Sequence, residues 1–132
     1  MSLTPSQKQR AADLWRTAVR GLFHNRCFVC GRTEPANPSQ LTMFHCHHVE
    51  PKKMGGNPHI AYKLENGCLL CRSHHEQAHG PDGKLWLDQL IEDRFPEWFS
   101  LILNLRRVKP HPYTQECLEL DVEKLKAVTN GE

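Results

Sequence analysis

The chain concentrates its thiols and imidazoles in one stretch. Five of the six cysteines lie between Cys27 and Cys71, and seven of the nine histidines lie between His45 and His79. Thiolates and neutral imidazoles are the side chains that zinc and related ions prefer as ligands, whereas ordinary hydrophobic cores contain few histidines. This clustering predicts a fold whose middle part is organised around bound metal.

The length and composition restrict the setting in which such a site would work. A chain of 132 residues has room for about one hydrophobic core, so we expect a single domain covering 1–132. The opening MSLTPSQKQRAADLWR has no apolar run of the kind found in a secretory signal, which favours thiols or metal ligands over disulfides. No apolar run is long enough for a membrane span, and we expect a cytoplasmic protein of a bacterial or phage-infected cell with no membrane partner. The net charge of +2 does not by itself indicate a nucleic-acid binder.

The segment CFVCG at 27–31 has the spacing of a metal-binding turn, because a two-residue gap lets both thiolates reach one tetrahedral ion. The second pair of ligands must come from NGCLLCRSHH, where Cys68 with Cys71 and Cys71 with His74 are both suitably spaced. We favour Cys71 with His74, because a metal turn at CLLC would use up the apolar stretch that can form a strand there. Cys68 is then a core thiol, although it remains the alternative to His74. The predicted structural zinc ligands are Cys27, Cys30, Cys71 and His74.

Two further pairs of histidines have spacings that separate their roles. If a helix begins near Ser73, His75 and His79 lie one turn apart on the same face, which suits a shared divalent cation. His47 and His48 are consecutive in an extended run, so their side chains point to opposite faces. One of them can therefore bind metal while the other does different work.

The rest of the sequence predicts helices on both sides of this core. The segment TPSQ places a hydroxyl cap at Thr4, a proline at the first helical position and Gln7 as the capping-box partner. We expect a helical flank over 4–24, a zinc-bearing core over 27–80 and a second helical flank over 84–130. The expected fold class is α+β.

The run HHVEPKKMGG, followed by LENGCLLC and HHEQAH, resembles the HNH nucleases and their ββα-metal motif, in a form that also carries structural zinc. The resemblance covers 27–80 and implies a two-stranded hairpin, a loop and a helix that together hold a catalytic ion. It implies that His48 is the general base and that Asn66 fixes the loop and helps to orient the base. His74 stands where zinc-bearing relatives usually carry a fourth cysteine. The ligands of the catalytic ion that the resemblance implies are His47, His75 and His79.

The activity implied by this resemblance is metal-dependent hydrolysis of DNA phosphodiester bonds, which leaves 5′-phosphate and 3′-hydroxyl ends. An unperturbed imidazole, with a pKa of about 6.5, can take a proton from the attacking water at neutral pH. One divalent cation, from among Mn2+, Ni2+, Co2+, Zn2+ and Mg2+, would stabilise the leaving group. Because magnesium prefers oxygen ligands, a site built from imidazoles favours manganese or nickel over magnesium.

Basic side chains near the motif are candidates for contact with DNA phosphates. Lys52 and Lys53 follow the implied base in the loop, and Arg72 stands beside the start of the predicted helix. Arg16 and Arg20 lie one turn apart on the first helix and would extend the basic surface. The sequence leaves the oligomeric state open, and a single site of this kind cuts one strand at a time.

Two other classes of function use many of the same residues. A zinc-stabilised DNA-binding module without catalysis would keep the fold, but it has no need of His48 as a base. A zinc-ribbon interaction domain would draw its ligands from the four cysteines alone. Those four are Cys27, Cys30, Cys68 and Cys71.

Overall fold

The computed structural model describes residues 3–50, 58–107 and 112–130. Within these ranges the chain is α+β, with six helices, one 3₁₀ turn and one two-stranded antiparallel sheet. In chain order the elements are α1 (Pro5–Leu22), β1 (His45–His48), α2 (Pro58–Ala61), the 3₁₀ turn (Leu64–Asn66), β2 (Gly67–Leu70), α3 (Arg72–His79), α4 (Gly83–Arg94), α5 (Pro96–Arg106) and α6 (Gln115–Asn130).

Helix α1 begins where the sequence predicts. The Thr4 hydroxyl accepts a hydrogen bond from the backbone N–H of Gln7, and the Gln7 side chain accepts one from the backbone N–H of Thr4. The apolar face of the helix packs on both strands and on α6. Its buried residues are Ala11, Trp15, Ala18 and Val19.

The two faces of the hairpin meet different helices. Because successive side chains of a strand point to opposite faces, β1 presents two distinct surfaces. On one face, His45 and His47 make ring contacts with His75 of α3. On the other face, His48 stacks on Trp15 of α1. The sheet therefore lies between α1 and α3.

Gly67, the first residue of β2, is a point where α1 approaches the sheet closely. A Cβ atom at this position would lie 2.3 Å from Cγ2 of Val19 and 3.1 Å from Cζ2 of Trp15. The φ angle of −105° at Gly67 is accessible to any residue. The glycine is therefore required by close packing rather than by backbone conformation.

The three C-terminal helices supply much of the remaining core. One buried cluster joins the leucines of β2 to side chains from these three helices. Those side chains are Leu87 and Ile91 of α4, Ile102 of α5 and Leu125 of α6. Trp98 of α5 donates a hydrogen bond of 2.7 Å from its indole N–H to a backbone carbonyl in the 3₁₀ turn. In the part of the chain that is described, no helix is both long enough and apolar enough to cross a bilayer.

The close approach at Gly67 predicts that Gly67→Ala destabilises the protein. Val19 is buried and β-branched, so it cannot turn aside cheaply, and overpacking of this kind costs about 1–3 kcal/mol. The free energy of unfolding, measured by guanidinium denaturation followed by circular dichroism, should fall by that amount.

Gly21→Ala provides a matched control, because no described residue places an atom within 4 Å of the added Cβ at this position in α1. Replacing a helical glycine by alanine should stabilise the protein by up to about 1 kcal/mol. Equal free energies of unfolding for the two variants would contradict this account of the packing.

Candidate functional site

The predicted zinc ligands come together at the start of α3. The ligand atoms of Cys27, Cys30, Cys71 and His74 all lie within 4.8 Å of one another. Nδ1 of His74 is 3.1 Å from Sγ of Cys71 and 3.7 Å from Sγ of Cys27. Ligand atoms around tetrahedral zinc stand about 3.3–3.8 Å apart, given bonds of about 2.0–2.3 Å. The cluster could therefore bind a structural metal such as zinc.

Backbone hydrogen bonds hold the turn at 27–30 against the sheet. Gly31 adopts a φ of 74°, which few L-residues tolerate, and its N–H donates to the carbonyl of Cys27 at 2.8 Å. The N–H of Phe28 donates to the carbonyl of Leu69 in β2, also at 2.8 Å. This contact brings the thiols of the turn beside the end of β2, where α3 begins.

The two cysteines on either side of the β2 leucines differ in environment. Cys68 is fully buried, and burial raises the pKa of its thiol well above the ordinary value. At Cys71, burial also raises the pKa, but hydrogen bonds from the Ser73 hydroxyl and the His74 backbone outweigh it and lower the pKa to about 6. A thiol that ionises below pH 7 is the better metal ligand. Cys68 is not part of the ligand group found among the described residues.

A second group of possible ligands lies between β1 and α3. The ring nitrogens of His47, His75 and His79 lie within 4.8 Å of one another, and Nε2 of His75 is 3.1 Å from Nε2 of His79. The four-residue spacing on α3 places two of these rings on one face, and β1 supplies the third from across the gap. The three imidazoles could hold a metal ion.

Burial favours the neutral form of two of these rings. Burial is the largest cause that lowers the pKa of His47, which falls from 6.5 to about 3. The nearby rings of His75 and His79 lower it further. The pKa of His75 falls to about 4, first through burial and then through His45. Since metals bind the neutral imidazole, neither ring has to lose a proton at neutral pH. His45 stacks on His75 with ring centroids 4.5 Å apart, a contact that residue spacing did not indicate.

His48 lies on the other face of β1, outside the three-histidine group. Its ring stacks on Trp15, with centroids 4.0 Å apart and planes inclined by 8°. Its Nε2 is 2.9 Å from the carbonyl oxygen of Ala61. Because a carbonyl oxygen can only accept, Nε2 is the donor, and Nδ1 carries the lone pair of the neutral ring. The fold thus sets which nitrogen of His48 is basic.

Asn66 is fully buried and holds the backbone that follows His48. Its Oδ1 accepts from the N–H of Glu50 at 2.7 Å, and its Nδ2 donates to the carbonyls of Glu50 and Ile60 at 3.0 and 3.2 Å. Its own backbone carbonyl accepts from the N–H of Val49 at 3.0 Å. The amide therefore ties together the residues on either side of segment 51–57.

Glu50, the last described residue after β1, is held by charges that the sequence did not indicate. Nζ of Lys84 is 2.7 Å from Oε1 of Glu50, and Arg106 binds the same oxygen. Arg106 also donates to Asp88 at 2.6 Å. Lys84 and Arg106 are 34 and 56 residues from Glu50 along the chain, so no local pattern could reveal the network.

Of the three side chains predicted to contact DNA beside the motif, Lys52, Lys53 and Arg72, only Arg72 falls within the described ranges. It is half-exposed at the start of α3, with Nε 3.3 Å from the Glu76 carboxylate. An exposed pair of this kind contributes about 0–1 kcal/mol, so Arg72 can exchange it for another anion. Lys52 and Lys53 belong to 51–57, outside the described residues.

Comparisons with known protein families, with curated proteins and with solved structures find no match to this chain. The likeness to the HNH nucleases therefore depends on the motif residues and on how the fold arranges them. What the protein does has to be inferred from those side chains.

His74, and not Cys68, lies in one group with the thiols of Cys27, Cys30 and Cys71 among the described residues. This arrangement predicts the outcome of two matched substitutions. His74→Ala should lose about one zinc ion per chain, whereas Cys68→Ala should retain it. Zinc content is measured by mass spectrometry after dialysis against a weak chelator, with circular dichroism as the check on folding. Loss of zinc in Cys68→Ala together with retention in His74→Ala would show that the ligand set is wrong.

Proposed function

We propose that this chain is a metal-dependent endonuclease of the HNH type, which hydrolyses phosphodiester bonds in DNA. The observation that carries the proposal is the division of two consecutive histidines between the faces of β1. His47 joins the imidazoles of α3, while His48 lies outside that group with one nitrogen held as a donor. Phosphodiester hydrolysis needs both a cation and a separate base. A module that only binds DNA needs no such base.

His48 is the base in this proposal. With Nε2–H held by the carbonyl of Ala61, Nδ1 is the nitrogen that takes the proton from the attacking water. Stacking on Trp15 restricts rotation of the ring, so the basic nitrogen keeps one direction. Asn66 supports the same residue indirectly, because it fixes the backbone immediately after β1.

His47, His75 and His79 would hold the divalent cation. When bound, the cation supplies positive charge that stabilises the departing 3′ oxygen. The low pKa values of His47 and His75 keep these rings ready to bind at neutral pH. Since the group consists of imidazoles, it suits manganese, nickel, cobalt or zinc better than magnesium.

The thiol cluster would stabilise α3 at its N-terminal end. His74, the histidine of that cluster, immediately precedes His75, so a structural ion there would fix the start of α3. The helix has only eight residues and contains no capping hydrogen bond from the side chain at its N-cap. Such a short helix is marginal by itself and depends on its contacts for stability.

A plasmid-nicking assay tests the base. His48→Asn removes the basic nitrogen and keeps a polar side chain, so nicking of supercoiled plasmid should fall about 100-fold or more. His24→Asn is the matched control, because His24 is exposed and its φ of 54° is one that asparagine tolerates. The control should cut at the wild-type rate.

Each failure of this assay has a distinct meaning. Wild-type activity in His48→Asn would show that His48 is not the base. DNA binding by the wild type without nicking under any divalent metal would instead favour the catalytically silent binding module.

The donor set also predicts an order of metals. After removal of the loosely held cation and a check that the structural ion is retained, Mn2+ or Ni2+ should restore faster initial nicking than Mg2+. The comparison is made at equal metal concentration and pH. Equal or faster nicking with Mg2+ would mean that the three imidazoles do not form the catalytic metal site.

A further inference from the structure

Beside His48 the structure contains a cleft of about 360 Å³. Tyr62 and Ala61 line it together with His48, and the facing wall is formed by α1. This wall lies outside 27–80, the part of the chain that carries the likeness to HNH nucleases. The cleft therefore has one wall from the motif region and a second wall from a helix outside that region.

The α1 wall of the cleft is basic. Lys8, Ala12 and Arg16 follow one another at four-residue intervals, so they lie along one face of the helix. The small side chain of Ala12 leaves space between the two cations, and Gln9 adds a neutral hydrogen-bonding group beside them. Among the described residues that line the cleft, none is acidic.

We propose that this cleft is a second phosphate-binding subsite, in which Lys8 and Arg16 hold a DNA phosphate next to the one that is cleaved. The inference rests on the proposed function, because it takes His48 as the base. The cleaved strand would pass from the imidazoles of α3, across the end of β1, to α1. Phosphate contacts from lysine and arginine fix the register of a nucleic acid on a protein.

The present partner of Arg16 does not compete strongly with a phosphate. Nη2 of Arg16 is 2.7 Å from Oδ1 of Asp13, and both side chains are about half-exposed. Such a pair contributes about 0–1 kcal/mol, so exchange for a phosphate costs little.

Arg20, one turn further along α1, is placed differently. It pairs with Glu34, whose side chain is nearly buried, and it donates to the carbonyl of Phe44 at 2.8 Å. These contacts tie the segment before β1 to the helix. The structure thus separates Arg16, which faces the cleft, from Arg20, which serves the fold.

The test is the salt dependence of DNA binding by the full chain. Binding of a fluorescent DNA duplex is measured by anisotropy at several salt concentrations, in the His48→Asn background so that the duplex stays intact. Lys8→Gln and Arg16→Gln should each weaken binding roughly 3–10-fold at about 0.1 M salt and reduce the slope of log K against log salt by about 1. The double variant should reduce the slope by about 2.

Arg10→Gln is the matched control, because it removes the same charge from an exposed position on the opposite face of α1. It should leave the slope unchanged. In nicking assays with His48 intact, Lys8→Gln and Arg16→Gln should raise KM while kcat stays near the wild-type value.

The outcomes separate this inference from the proposed function. If the wild type binds and nicks DNA but Lys8→Gln and Arg16→Gln behave like Arg10→Gln, the subsite is wrong and the endonuclease stands. If the wild type neither binds nor nicks DNA, both are overturned. If a glutamine variant melts at a lower temperature, Lys8→Arg and Arg16→Lys decide: a restored slope supports the subsite, and an unrestored slope overturns it.

Discussion

The antiparallel pairing of β1 with β2 sets the position of the candidate site. His47 lies opposite Cys68 and His48 opposite Gly67, and the alternation of a strand then sends the two imidazoles to opposite faces. A shift of one residue in this register would exchange the faces and direct His48 toward α3. The register is maintained by β2, which is buried along its whole length, and by the close fit of Gly67 under α1.

Two strands of four residues do not make a stable sheet by themselves, so the hairpin depends on what surrounds it. Helix α1 covers one face with a buried tryptophan, and α3 covers the other with histidines. The amide of Asn66 and the charges around Glu50 hold the chain where it leaves β1. Many of these contacts are hydrogen bonds and ion pairs, which depend on direction as well as distance. They therefore fix the positions of the side chains in the candidate site.

Local spacing carried much of what the sequence could reveal. The capping box at Thr4 marks the start of α1, and the interval between His75 and His79 places both on one face of α3. The apolar stretch at CLLC was expected to form a strand, and the structure has β2 there, at Gly67–Leu70. Contacts between distant segments could not be predicted this way. Neither the stacking of Trp15 on His48 nor the burial of His59 against Tyr113 has a local signal, because each depends on helices packing in three dimensions.

The stack between Trp15 and His48 has a consequence for charge. Trp15 is 2% exposed, so its indole face is shielded from water and directed at the imidazole. The face of an aromatic ring is electron-rich, and a cation placed over it gains about 0.5–2 kcal/mol. A proton that reaches His48 would therefore turn a contact between neutral rings into a cation–π pair. The indole is a packing surface for the neutral imidazole, and its electron-rich face would stabilise the protonated one.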